Sequence, residues 1–148
     1  MTPLDRELVR RKLALITRNL DDLQRIDGLA LEVYSQDRFL RKATERLLQE
    51  LIEAAVDVNT YLLRAADAPT PGDYHSSFMD AGRQGIIPTE LAARLAPAAG
   101  LRNRLVHEYD RIDDAMVLAA VTEARSHFAA FVAAVEHWLA RDEGADAP

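Results

Sequence analysis

The C-terminal third of the chain repeats an apolar residue at alternating steps of four and three: Val117, Val121, Ala124, Phe128, Phe131, Val135 and Trp138. At 3.6 residues per turn that spacing keeps every one of them on a single side of a helix. It predicts one helix from near Asp113 to about Arg141, carrying one buried stripe. The same pattern opens the chain: Val9, Leu13, Ile16, Leu20 and Leu23 predict a helix over about 4–27, with Gly28 as its stop. Leu40, Leu47, Leu51, Ala54, Val58 and Leu62 predict another over about 37–66, with Asp37 as its cap.

Between these long segments the punctuation is dense. AADAPTPGDY, with two prolines and a glycine, breaks the helical pattern. A short helix is expected over Tyr74 to Arg83, ending near Gly85, and Pro88-Thr89 opens the next, continued by Leu91 and Leu95. Pro97 bends or restarts it, because proline lacks the N–H that a helix interior needs. Ala98 to Tyr109 follows, with Leu101 and Leu105 facing inward. No run alternates with period two, so no strand is expected. The fold class is all-α: an up-and-down bundle of four to five helices. The 148 residues make one domain over 1–141 with an acidic tail over 142–148.

Composition narrows the function classes. The chain has no cysteine, which removes disulfides, thiolate metal sites and cysteine nucleophiles and suits a reducing cytosol. The first twenty residues are charged throughout and contain no signal-peptide apolar core, and no apolar stretch is read as approaching the roughly 18 residues of a membrane span. The expected location is cytoplasmic. Net charge is −6, which opposes a broad RNA-coating surface. The imbalance is local, with 10 basic and 9 acidic residues over 1–50 against 8 and 15 over 51–148. Any RNA contact is expected to be confined to a small site.

The familiar catalytic signatures are missing: no phosphate-cradling glycine loop, no HExxH and no GxSxG. His107-Glu108 begins like a zinc helix, but Arg111 stands where the second histidine belongs. His127 and His137 lie ten apart on one helix, about 80° apart in rotation and almost three turns apart in height, which does not suit a shared metal. The polar edge that carries chemistry is LRNRLVHEYDRID. There Asn103 and His107 are spaced i and i+4, so the amide can orient the imidazole. Arg102 lies roughly 140° round from His107, and Arg102 and Tyr109, seven apart, share a face. An imidazole can take the 2′-hydroxyl proton of RNA or protonate the leaving 5′-oxygen. A guanidinium can hold two phosphate oxygens and offset the charge that builds on phosphorus. Such a site needs no metal or cofactor and leaves a 2′,3′-cyclic phosphate and a 5′-hydroxyl. Arg-x4-His alone is weakly specific, with about 0.4 chance matches in a chain of this composition; requiring Tyr two residues later lowers that to about 0.01. The same residues are also compatible with a plain helix end: a surface Arg, a capping His and a half-buried Tyr.

RNRLVHEY resembles the R-x4-H-x-Y signature of HEPN-fold ribonuclease toxins, specifically the HepT-like family paired with MntA-type minimal nucleotidyltransferases. Glu45-Arg46-Leu47-Leu48-Gln49 and Ile52-Glu53-Ala54-Ala55-Val56-Asp57-Val58 resemble the family's second helix. Pro71-x-x-Tyr74, Gly85-Ile86-Ile87-Pro88 and Leu91-Ala92-x-x-Leu95 lead into Ala99-Gly100-Leu101-Arg102-Asn103 in the family's order. The resemblance covers about 5–140; it departs around Asn59–Tyr61, where the family often carries a histidine and this chain has Tyr61.

The resemblance implies a HEPN-type bundle that forms a homodimer, with two R-x4-H helices meeting at an RNA-cutting cleft. It implies that Arg102 and His107 are the catalytic pair, with Asn103 a supporting polar residue, in the toxin of a type VII-like toxin–antitoxin pair. Tyr109 would receive AMP from the partner nucleotidyltransferase antitoxin, and a bulky anionic nucleotide beside His107 would obstruct the groove and repel RNA phosphates. Two other readings compete. One is a non-catalytic HEPN interaction or nucleotide-binding module complexed with a nucleotidyltransferase. The other is a structural dimerisation domain, which needs no polar helix edge.

Overall fold

The computed structural model describes residues 4–145. Among them there are seven helices and no strand: α1 (Arg6–Leu23), α2 (Leu31–Gln36), α3 (Arg38–Ala65), α4 (Tyr74–Arg83), α5 (Thr89–Leu95), α6 (Ala98–His107) and α7 (Asp114–Ala145). The all-α bundle is as expected, with more elements than four or five. The helix α2 has six residues, too few to show a periodicity, and Pro97 fully separates α5 from α6.

Aspartate caps set most of the helix starts. Asp5, Asp37 and Asp73 accept hydrogen bonds from the backbone N–H of Leu8, Leu40 and Ser76, and Asp113 accepts from Ala115. Each satisfies a donor that the first turn leaves without an intrahelical partner. After α4, Gly85 at φ +72° lets Ile86 N–H reach Ala81 C=O and its own N–H reach Gly82 C=O, a Schellman closure.

Lys12 pairs with Asp57 at 2.9 Å, and Asn19 Nδ2 donates to Leu47 C=O at 3.1 Å, so α1 runs antiparallel to α3. Arg6 with Asp142 and Arg10 with Glu143 tie the start of α1 to the end of α7. At the other end, Asp27 Oδ1 accepts from Thr122 Oγ1 at 2.6 Å and Asp27 Oδ2 from Arg125 Nη1 at 2.5 Å. These pairs also correct the acidic-tail reading over its first residues: 142–145 belong to α7, and 146–148 lie outside the described residues.

The core follows the predicted stripes with slips on two helices: on α3 Leu40 and Leu47 are only half-buried while Thr44 and Leu48 are buried, and on α7 the stripe shifts at its end. Val117, Val121, Ala124, Phe128, Phe131 and Val135 are buried, but the next buried residue is Leu139, and Trp138 is only half-buried. A strict 4-3 repeat averages 3.5 residues per turn and drifts off a straight 3.6-residue helix. Phe78 of α4 meets Phe128 and Phe131 edge-on, with all three centroid separations at 6.3–6.4 Å. Asp114–Gly144 is long and apolar enough by composition to cross a membrane, against the earlier reading that no stretch is. In the fold one stripe of this helix is buried in the core, and Arg125 on the same helix is tied to Asp27.

Candidate active site

The segment that carries the polar edge is a short helix pressed onto α3 and α4. Ala99 and Leu105 of α6 are buried and Leu101 packs against the core, which fixes the rotation of the helix. That rotation turns Arg102 inward along the surface of α3 and leaves Asn103 and His107 exposed.

Arg102 is the most constrained of the four candidates. Its Nε donates to Glu53 Oε1 at 3.0 Å, and the same oxygen accepts from Gln49 Nε2 at 3.1 Å. Its Cζ lies 4.8 Å from the centroid of the Tyr74 ring, within cation–π range. The side chain is 22% exposed. Among the described residues no hydrogen bond engages either Nη, so the edge of the guanidinium that can chelate two phosphate oxygens is open.

His107 is the last residue of α6 and is exposed. The spacing of Asn103 and His107 permits a hydrogen bond, but among the described residues none joins them. Glu108 caps the helix, with its N–H on Arg104 C=O at 2.9 Å, and Arg111 N–H closes a turn onto Glu108 C=O at 2.8 Å. The expected helix over Ala98–Tyr109 therefore stops two residues short, and Tyr109 does not share a helical face with Arg102. It stands in the link to α7, 66% exposed. Arg102 and His107 are separated by about 140° and about 7.5 Å of rise on an ideal helix, so one chain presents them on different sides of α6.

Three residues of this site were not assigned a role from sequence: Glu53, Gln49 and Tyr74. All three did stand in the segments that carried the family resemblance, but they lie on α3 and α4, with Glu53 and Tyr74 49 and 28 residues from Arg102. Only the packing of α6 against both helices brings them together. Beyond Arg102, a groove of about 470 Å³ runs between the start of α4 and α6, bordered by Tyr74, His75 and Asn103. His75 thus borders the site, and His127 lines a separate groove on the α7 side of α6. Among the described residues, no three His, Asp or Glu side chains converge as metal ligands would.

A family profile described as "Ribonuclease HepT-like" matches residues 16–135. The chain is 34% identical over 139 residues to the tRNA nuclease HepT of Aphanizomenon flos-aquae, covering 94% of this chain and 95% of that one. It is 25% identical over 126 residues to the mRNA nuclease HepT of Shewanella oneidensis, covering 85% and 94% respectively. Among solved structures, the tri-AMPylated HEPN toxin of Shewanella oneidensis in complex with its MNT antitoxin superimposes with a TM-score of 0.79 at 25% identity, over 88% of this chain and 97% of that one. Sequence profile, relatives along nearly the full length and the bundle itself converge: the chain belongs to the ribonuclease HepT-like family.

Proposed function

We propose that this protein is a toxin endoribonuclease that cleaves RNA by metal-independent transesterification at a cleft between two copies of α6, and that a partner nucleotidyltransferase silences it by AMPylating Tyr109. The observation that carries the reading is Arg102: Glu53 and Tyr74 hold it, and its two Nη groups are open. The 2′-hydroxyl attacks phosphorus, the 5′-oxygen leaves, and a 2′,3′-cyclic phosphate and a 5′-hydroxyl result. His107 moves the proton, and Arg102 offsets the charge that builds on the phosphoryl oxygens. Because one chain turns Arg102 and His107 to different sides of α6, a homodimer is the arrangement in which Arg102 of one copy and His107 of the other can face one phosphate. An RNA substrate and a nucleotidyltransferase antitoxin are met in the cytoplasm, which is the compartment proposed for this activity.

Control by AMP follows from position. The Tyr109 hydroxyl is exposed on the link after His107, where its oxygen can attack the α-phosphorus of a nucleoside triphosphate with pyrophosphate leaving. The relatives named above as a tRNA nuclease and an mRNA nuclease indicate RNA as the substrate class, and the AMPylated toxin bound to its antitoxin indicates the control.

The test is cleavage of RNA by the purified protein in excess EDTA, with end-group analysis, beside Arg102→Ala and His107→Ala. Both variants are expected to lose growth inhibition and cleavage by about 10²-fold or more while keeping the circular-dichroism spectrum. Cleavage surviving both substitutions overturns the active-site assignment. Peptide mass spectrometry after co-expression with the nucleotidyltransferase is expected to find AMP on Tyr109. Tyr109→Phe is expected to cut RNA but escape silencing; a variant still silenced would rule out modification as the control.

A further inference from the structure

The groove beside Arg102 has a lining unlike a phosphate site. Asp73, Tyr74 and His75 come from the start of α4, and Pro97, Gly100 and Asn103 from the start and face of α6. The floor is apolar and small, and its volume of about 470 Å³ lies within the range of small-molecule sites, roughly 300–1,000 Å³. Asp73 accepts the N–H of Ser76 at 2.7 Å, and that bond holds its carboxyl below the usual range, so the groove carries a fixed negative charge. A phosphate is disfavoured there. A base is not: its N–H and amino groups can donate to a carboxylate, and its faces suit proline and an aromatic ring.

The groove also adjoins the candidate catalytic arginine. Tyr74 is shared, with Arg102 packed over its ring while the same residue borders the groove. Asn103, next to Arg102 in sequence, borders it from the other side. A phosphate chelated by Arg102 therefore lies beside a recess for the nucleoside attached to it, Tyr74 being common to both.

We infer that the groove between α4 and α6 is a base-binding subsite that receives the nucleobase adjoining the scissile phosphate, with His75 and Asn103 contacting its edge. The inference rests on the reading of Arg102 as the phosphate-binding residue, and it adds a determinant of which RNA position is cut. His75 and Asp73 supply a donor or acceptor and an acceptor, so bases that differ in their donor pattern are told apart here. Gly100 keeps the recess open: a Cβ built on it meets nothing within 4 Å.

The test uses the intact protein and 2′-O-methyl dinucleotides, which bind but cannot be cleaved, followed by amide NMR shifts. The expected result is a saturable shift at Tyr74, His75 and Gly100 that depends on the base. His75→Ala and Gly100→Leu are each expected to weaken the preferred dinucleotide by about tenfold, the scale of losing one stacked or hydrogen-bonded base. Leucine at position 100 fills free space on a helix that gains from losing a glycine, so the variant is expected to fold. Shifts confined to Arg102 and His107, with both variants binding as the wild type does, overturn the subsite and leave the catalytic reading standing. Base-dependent groove shifts in a protein that cuts no RNA overturn the catalytic reading, and with it the place of the subsite beside a scissile phosphate, leaving only a nucleobase-binding groove. No groove shift with any of the dinucleotides overturns the subsite, and the EDTA cleavage assay then decides the catalytic reading separately.

Discussion

Arg102 shows how a charge on an acidic protein is kept available. A guanidinium bound through both Nη groups by a carboxylate would be spent on structure. Glu53 instead takes Nε, at 3.0 Å, and Gln49 shares the same carboxylate oxygen. Tyr74 restrains the planar group from one side without using a donor. Glu53 is accordingly a positioning residue. Glu53→Ala is expected to lower kcat by about 10- to 100-fold through loss of orientation. The pair is partly exposed, so thermal stability is expected to move by no more than about 1 kcal/mol. Steady-state kinetics and a melt on the same variant check this; a wild-type kcat would show that Tyr74 alone is sufficient. Arg102 and His107 were legible as candidates because their chemistry is carried by residue type and spacing. Glu53 was not, since a carboxylate on a long helix reads as solvated until the neighbouring helix is placed.

At the scale of elements, the site depends on how closely α4 and α5 approach. A Cβ on Gly82 would lie 2.7 Å from the Ala92 Cβ, closer than two such carbons can sit. Gly82 therefore sets the spacing of these helices, and with it the place of Tyr74 at one end of α4 and of α6 after Pro97. Gly82→Ala is expected to cost about 1–3 kcal/mol by overpacking, measured by urea unfolding. An unchanged midpoint would mean the two helices separate freely. The cap at Asp37 was readable in advance, since it needs only its own next turn. The end of α6 was not. The helical pattern runs on to Tyr109, but the turn from Glu108 to Arg111 and the Asp113 cap reverse the chain first.

At the scale of the whole molecule, two carboxyl groups act on stability with opposite pH behaviour. Asp27 binds Thr122 and Arg125, in that order of effect, and both hold its carboxyl below the usual value of 3.8. Its contribution is present above pH 3.8 and is lost as the pH falls through the lowered value. Glu45 is buried beside Asp114, and burial raises its carboxyl above the usual 4.5, against the pull of Lys42 and Arg41. Its ionisation opposes folding: no penalty applies below pH 4.5, and the penalty grows as the pH rises through the raised value. Asp27→Asn is expected to be less stable than the wild type at pH 7, with the gap closing below pH 3.8. Glu45→Gln is expected to be as stable or more so at pH 7, with no difference below pH 4.5. Melting curves from pH 3 to 7 decide both, and a gap for Asp27→Asn that stays constant with pH would exclude the charged contact as its source.

The residue pattern by itself determined the helical class, the three long elements, most of their buried faces and the Arg102–His107 edge, because helix periodicity, aspartate caps and side-chain chemistry are local properties. Only the tertiary structure decided that Glu53 and Tyr74 hold Arg102, that Asp142 and Glu143 are ion-paired helix rather than tail, and that Tyr109 leaves the helix. The first two depend on which helices lie side by side, an arrangement that comes from burying all the apolar stripes together; Tyr109 leaves the helix because the Glu108–Arg111 turn and the Asp113 cap end α6 before it.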